Sequence, residues 1–397
     1  MHNPFIQLKP QKDASIKRFH PWVFSGAIQK KSAALNDGDL VHVYNSNNEW
    51  LGCGHFHDGS IAVRIISFDT PNIDEAFWQQ RVSNAYQLRQ KLNLTDNPNN
   101  NCYRLIHGEG DQLSGLIIDI YNQAAVVQAH SIGMHRQIEA IATALRAVYG
   151  DKLTVIYNKS QNSLPDNYGH TAKDGFLYNP HQSEPETIAV ENGVKFHINY
   201  QTGQKTGFFL DQKNNRALLK QFSQDATVLN TFCYSGGFSM YALQAGAKLV
   251  HSVDASEKAI DLVAKNLILN GLDTQRHESY CQDVLKFLAQ CEQTYDVVIL
   301  DPPAYAKTLA KKHNAIQAYK RLNIAGLKQV KKGGLLLTFS CSQVVTRDLF
   351  EGAVVAAAIE AGRNVRILQH LAQSPDHPIN IFHPESSYLK GLLLYVE

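Results

Sequence analysis

The stretch Thr227-Val-Leu-Asn-Thr-Phe-Cys-Tyr-Ser-Gly-Gly-Phe238 reads as a buried strand, then a small-residue turn, then the start of a helix. Its first half is β-branched and apolar, and Gly236 and Gly237 stand where the chain must turn. The same alternation continues downstream. Strand-like runs fall at 249–254, just before Asp283, and at 296–300, 335–339, 365–370 and 391–396, with helical stretches between most of them. This spacing calls for βαβ units and an α/β fold with a parallel, doubly wound sheet. The last two runs leave no room for a full helix between them, so they pair antiparallel.

Upstream the pattern changes. Runs at 39–44, 49–56 and 61–68 alternate around turns at Asn45-Ser-Asn-Asn48 and Asp58-Gly59, which describes a small all-β module. A helix over 74–92 carries apolar residues at Phe77, Val82, Tyr86 and Leu92, and the polar run Thr95-Asp-Asn-Pro-Asn-Asn-Asn101 closes it. From 103 to 159 the order is strand, strand, helix, strand, with no chemistry in view. A loop over 162–186 then leads to a strand at 194–199. The expected domains are 1–72, a central α/β domain over 73–186, and the doubly wound domain over 187–397.

Composition narrows the class. With 44% hydrophobic and 19% charged residues, the 397-residue chain is globular, and long enough for more than one core. It has no apolar run of about 18 residues, and Met1-His-Asn-Pro-Phe-Ile-Gln-Leu-Lys9 lacks the layout of a secretory leader. A cytoplasmic location is expected. The six cysteines are scattered without a C-x-x-C pair, so no metal site is expected, and a cysteine that matters does so as a nucleophile. A net charge of +2 leaves any RNA contact to local patches.

Ligands of doubly wound sheets bind at the carboxyl ends of the strands, so each strand end was read in turn. They give Gly236-Gly237, Asp254, Asp283 and Asp301-Pro-Pro303. A dinucleotide needs G-x-G-x-x-G to seat its pyrophosphate, and that spacing is missing here. S-adenosylmethionine has no phosphate. It needs a small-residue turn and carboxylates for ribose, adenine and ammonium, which the series supplies. Each acid alone could equally be a helix N-cap. The residues put forward for this cofactor are Phe232, Tyr234, Gly236, Asp254, Ala255, Asp283, Val284 and Asp301. Lys205, Thr206, Phe209 and Asp211 join them from Tyr200-Gln-Thr-Gly-Gln-Lys-Thr-Gly-Phe-Phe-Leu-Asp211, a stretch that also reads as a hairpin before a helix.

Asp-Pro-Pro at a strand end suits methyl transfer to nitrogen. Carbon 5 of cytosine is too weak a nucleophile for direct transfer and needs a thiolate to add at carbon 6 first. Leu335-Leu-Leu-Thr-Phe-Ser-Cys-Ser342 supplies that thiol as Cys341, just past the apolar part of the fifth strand. Cys233 reads as packing.

These segments, with His20-Pro-Trp-Val-Phe-Ser-Gly26, Tyr103-Arg-Leu-Ile-His-Gly-Glu-Gly-Asp111, Lys205-Thr-Gly-Phe-Phe-Leu-Asp-Gln212 and Tyr388-Leu-Lys-Gly391, resemble the bacterial 23S ribosomal RNA large-subunit methyltransferase I family of 5-methylcytosine enzymes. The resemblance runs nearly end to end. It implies a barrel-like PUA domain that binds RNA, a small central α/β domain and a Rossmann-like class I methyltransferase domain. It also implies Cys341 as nucleophile and Asp301 as the residue assisting at the ring. Many RNA 5-methylcytosine enzymes carry a second cysteine after the paired prolines. Here that position is Ala304, which leaves the base for the carbon 5 proton unassigned.

Lys17, Arg18 and His20 beside Trp22 offer charge and stacking surface for RNA, and Lys307, Lys311 and Lys312 form a second basic run. Solvated faces over a packed Trp would look the same. The expected partner is 23S ribosomal RNA, naked or in an assembly intermediate, and a homodimer fits the family. Two other readings stay open: a guanine nitrogen methyltransferase acting on ribosomal RNA, and a non-catalytic assembly factor.

Overall fold

A computed structural model describes residues 4–397; the first three residues, where the leader reading and the 1–72 module begin, lie outside the described residues. The chain divides into two compact units. One comprises Met1–Ala189, Ile198–Phe208 and Pro375–Ser386, the other Val190–His197, Phe209–Ser374 and Ser387–Glu397.

The first unit holds two sheets. β1 (Phe5–Leu8), β2 (Trp22–Phe24), β3 (Ile28–Lys31), β4 (Leu40–Tyr44), β5 (Trp50–Phe56) and β6 (Ile61–Ser67) form a six-stranded sheet ordered β2-β6-β5-β4-β1-β3. Its inward residues Ile6, Leu8, Val41, Val43, Val63 and Ile65 make one core. The helix Glu75–Lys91 follows, capped by Asp74, whose carboxylate accepts from the Phe77 amide. The second sheet takes β7 (Cys102–His107), β8 (Leu116–Tyr121), β9 (Ala124–Ala129), β10 (Val155–Asn158) and β11 (Gly175–Tyr178) in reverse sequence order.

Three elements of this region differ from the sequence reading. β7 is a strand, although Arg104 and His107 interrupt its apolar pattern, because Asp119 on β8 takes the Arg104 guanidinium in a two-pronged pair. The segment 162–186 is not all loop: it contains the short helix Asp166–Gly169 and the edge strand β11. β12 (Glu186–Glu191) precedes β13 (Val194–Asn199) and forms a two-stranded sheet with it.

The second unit is built on β14 (Thr227–Thr231), β15 (Leu249–Asp254), β16 (His277–Cys281), β17 (Tyr295–Leu300), β18 (Val330–Ser340), β19 (Val365–Leu371) and β20 (Lys390–Val396). Their order is β16-β15-β14-β17-β18-β20-β19. Parallel strands here are buried on both faces, which is why β17 reads Asp296-Val-Val-Ile-Leu300 without alternation. β20 runs antiparallel to both neighbours; the 18 residues of 372–389 that precede it would leave room for a crossover, so the gap alone does not set this direction. Among the described residues no helix is long and apolar enough to cross a membrane.

One buried ion pair ties the start of this unit together. Glu191 is fully buried and accepts from Arg216 Nε and Nη2, both at 2.8 Å, and from the Tyr241 hydroxyl at 2.9 Å. Removing one partner strands a charge in the interior. Glu191→Ala is therefore expected to destabilise this unit by about 3–5 kcal/mol in urea denaturation. Adding Arg216→Met should recover part of that loss; equal losses in the single and double variants would refute it.

Candidate active site

Strand order in the second unit reverses between β14 and β17, and in such sheets ligands bind outside the carboxyl ends of the strands at that point. The loop after β14 is unusual. Phe232 (φ 53°), Tyr234 (φ 47°) and Gly236 (φ 76°) alternate into left-handed geometry, a conformation that costs roughly 1–2 kcal/mol for each residue with a side chain. Surrounding hydrogen bonds hold it. Tyr234 N donates to Asp254 Oδ2 at 2.9 Å, Cys233 N to the Val253 carbonyl at 3.1 Å, and the buried Asn266 amide to the Ser235 carbonyl at 2.9 Å. Strain over-determined in this way clusters where a ligand must meet backbone closely.

Asp254 stands at the end of β15, half-buried beside the exposed Ala255, and its other oxygen accepts from Ser256 N at 2.9 Å. Asp283 is exposed and caps the helix Val284–Gln290 by accepting from Lys286 N at 3.0 Å, with Val284 buried behind it. Capping and strand-end placement therefore coincide at Asp283. Phe209 and Tyr234 meet edge to face, ring centres 5.3 Å apart.

The charge of Asp211 acts on the carboxyl of Asp301. The Tyr388 hydroxyl donates to Asp211 Oδ2 at 2.6 Å, while Asp211 Oδ1 is buried without a partner among the described residues. At the end of β17, burial and then the charge of Asp211 push the Asp301 carboxyl up to about 7, against the pull of Gln212 and Arg216. Ser235 Oγ is a second buried, unpartnered atom close in sequence to the strained turn. An orphan carboxylate oxygen beside a like charge suits the ammonium and sulfonium of S-adenosylmethionine.

Cys341 follows β18 directly. Its Sγ lies 3.9 Å from the Pro302 carbonyl, so the thiol and the Asp301 loop are brought together. The neighbouring Ser342 fixes both loops, its hydroxyl accepting from Ala306 N at 3.3 Å and bonding the Tyr319 hydroxyl at 2.9 Å. Burial, with Asp301 and Asp211 nearby, pushes the thiol up to about 12. Cys233 is buried.

Other expected residues lie elsewhere. Lys205 and Thr206 belong to the first unit, where Thr206 is fully buried and its hydroxyl donates to Asp119 Oδ2 at 2.6 Å. In the same unit Lys17 pairs with Asp13 at 2.7 Å, and Arg18 is exposed. Trp22 donates its indole N–H to Glu109 at 2.9 Å and lies against His383, ring centres 4.3 Å apart. Phe24, which the sequence also places beside this basic cluster, is exposed, as is Phe19, which the sequence reading did not name. His20, His383 and Glu385 bring ligand-type atoms within 4.8 Å of one another. The His20 Nδ1 accepts from Trp22 N, so a neutral ring carries its proton on the Nε2 that faces Glu385. In the second unit Lys307 and Lys311 are exposed and Lys312 half-buried after the Asp301 loop. Gln212, Tyr388 and Lys390 were missed as site residues, although each lies in a quoted motif.

Residues 6–68 match a PUA-like domain and residues 176–393 an S-adenosylmethionine-dependent methyltransferase domain. Proteins named ribosomal RNA large subunit methyltransferase I are similar over nearly the whole chain. That of Alteromonas mediterranea is 39% identical, covering 98% of each chain, and that of Aeromonas hydrophila 37%, with the same coverage. Among solved structures, a SAM-dependent methyltransferase from Streptococcus mutans superposes with a TM-score of 0.83 at 22% identity, covering 98% of this chain and 99% of that one. A methyltransferase solved in complex with SAH gives 0.82 at 23%, covering 100% of each.

The raised Asp301 carboxyl has a thermodynamic consequence. Without cofactor the folded protein keeps this proton up to about pH 7, whereas the unfolded chain releases it near its ordinary value of about 4. The folded state thus binds the extra proton in that window, and stability falls as pH rises through it. Asp301→Asn should flatten this part of the melting-temperature profile; an unchanged slope would count against the assignment.

Proposed function

Because the chain belongs to the ribosomal RNA large subunit methyltransferase I family, we propose that it methylates carbon 5 of a cytosine in 23S ribosomal RNA. That it is an S-adenosylmethionine-dependent ribosomal RNA methyltransferase follows from the family itself. The finer reading rests on one observation: a cysteine just beyond the apolar core of β18, its sulfur 3.9 Å from the Asp301-Pro302 loop. Direct transfer to a nitrogen has no use for a thiol there.

Bound cofactor supplies a methyl group on a sulfonium. The residues that would hold it are Asp211 and Asp301 around its methionine end, Phe232, Tyr234 and Gly236 along the turn, Asp254 with Ala255 at the ribose, and Asp283 with Val284 at the adenine. Phe209 completes the set in this unit. The Cys341 thiolate adds to carbon 6 of the cytosine, and Asp301, partly protonated near neutral pH, gives a proton to N3. The electron pair displaced onto carbon 5 makes that carbon nucleophilic enough to accept the methyl group. A base then takes the carbon 5 proton, the carbon–sulfur bond breaks, sulfur recovers its pair, and N3 returns its proton to the Asp301 carboxylate.

Residues 1–72 serve this reaction by binding RNA, with Lys17, Arg18, His20 and Trp22 contributing charge and rings. Lys307, Lys311 and Lys312 offer cations for phosphates in the second unit. The reaction belongs in the cytoplasm, where ribosomal RNA is assembled with protein.

The test is labelled methyl transfer to deproteinised ribosomal RNA from a strain lacking this gene, followed by identification of the labelled nucleoside. Label in 5-methylcytidine that falls about 10²-fold or more in Cys341→Ala is the expected result. Label in a methylated guanosine, indifferent to the substitution, would overturn the cytosine reading.

A further inference from the structure

We propose that Lys390 is the positioning residue that takes the proton of the Cys341 thiol as the sulfur attacks. This rests on Cys341 being the nucleophile. Lys390 opens β20, and antiparallel pairing sets it across from Ser340, with Gly391 across from Phe339. Its side chain reaches over the end of β18, where Nζ donates to the Ser342 carbonyl at 2.7 Å. Cys341 therefore sits between the pairing partner of Lys390 and its hydrogen-bond acceptor.

Lys390 is only 4% exposed. A lysine that deep in a protein ordinarily meets a carboxylate or lets its ammonium reach water. Here the Ser342 carbonyl is its one acceptor among the described residues, which leaves two of three ammonium donors for another group. The ionisable groups acting on it are Cys341 at the end of β18 and Arg347 at the start of the helix Arg347–Ala361. Only the thiol can take up negative charge. Cys341 in turn faces Asp301, Asp211 and Tyr319, all of which oppose a thiolate or cannot stabilise it.

Burial pulls the Lys390 ammonium down to about 8, so some neutral amine is present near neutral pH. Burial, then Asp301 and Asp211, push the thiol up to about 12 even with the Lys390 charge acting to lower it. Proton transfer between them runs uphill, so it accompanies attack on carbon 6 rather than preceding it. In the step, the Nζ lone pair takes the thiol proton; the S–H bond breaks, an N–H bond forms, and the net charge is unchanged. As it does so, the sulfur pair forms the sulfur–carbon 6 bond. On elimination the pair returns to sulfur, and the ammonium returns the proton.

The experiment follows alkylation of Cys341 by iodoacetamide across pH in the full chain, read by peptide mass spectrometry, with the exposed Cys281 as internal control. Wild type is compared with Lys390→Met and Lys390→Gln; glutamine still offers a donor to the Ser342 carbonyl. In both variants the Cys341 profile is expected to move up by about one pH unit or more. Single-turnover methyl transfer should fall about a hundredfold, with S-adenosylmethionine binding by calorimetry and the Cys281 profile unchanged. If glutamine restores the profile and the rate, Lys390 is a structural donor and the proposal fails. An unchanged profile in both variants also overturns it. Should the methionine variant not fold, the glutamine variant decides alone. Activity persisting in Cys341→Ala would instead sink the nucleophile reading, while the alkylation profile still reports on the pair.

Discussion

The second unit depends on one topological constraint, the reversal of strand order between β14 and β17. Parallel strands end together on one edge, so their loops diverge where the order turns back. The strained Phe232–Gly236 turn comes from one side of that divide, and Asp301 from the other. Asp254 then acts as a tie from β15, taking the Tyr234 amide and so fixing a backbone conformation that residues with side chains would otherwise avoid. The geometry that suits a small cationic cofactor is thus a property of the sheet first and of individual side chains second.

Charge placement follows the same logic. Burial, and then the charge of Asp211, makes Asp301 harder to ionise. A neutral or anionic ligand would gain nothing from that pair. Burial first, and then the same two acids, keep Cys341 a thiol.

The doubly wound domain could be read from its strands because parallel strands carry their burial in unbroken apolar runs, as in Val297-Val-Ile-Leu300. Asp254, Asp283, Asp301 and Cys341 were legible for the same reason, as the first residues beyond such runs. β7 was not, because Arg104 disguises it and its counter-charge, Asp119, lies on another strand. β11 is a short edge strand, and a loop-like composition hides it. Gln212, Tyr388 and Lys390 reach the site from segments far apart in sequence, where no local pattern signals them. Trp22 has partners the sequence could not signal, since Glu109 takes its N–H and His383 lies against its ring, both from distant segments.

β20 is made after β19 yet lies between β18 and β19. A growing chain therefore cannot zip its sheet in order of synthesis. The edge of β18 must wait unpaired until the segment carrying Tyr388 and Lys390 arrives, and non-local pairings of this kind close slowly. Until then Asp211 lacks the Tyr388 hydroxyl and the Ser342 carbonyl lacks the Lys390 ammonium. A half-made chain therefore already carries every acid of this sheet edge, and the insertion of one late strand completes it.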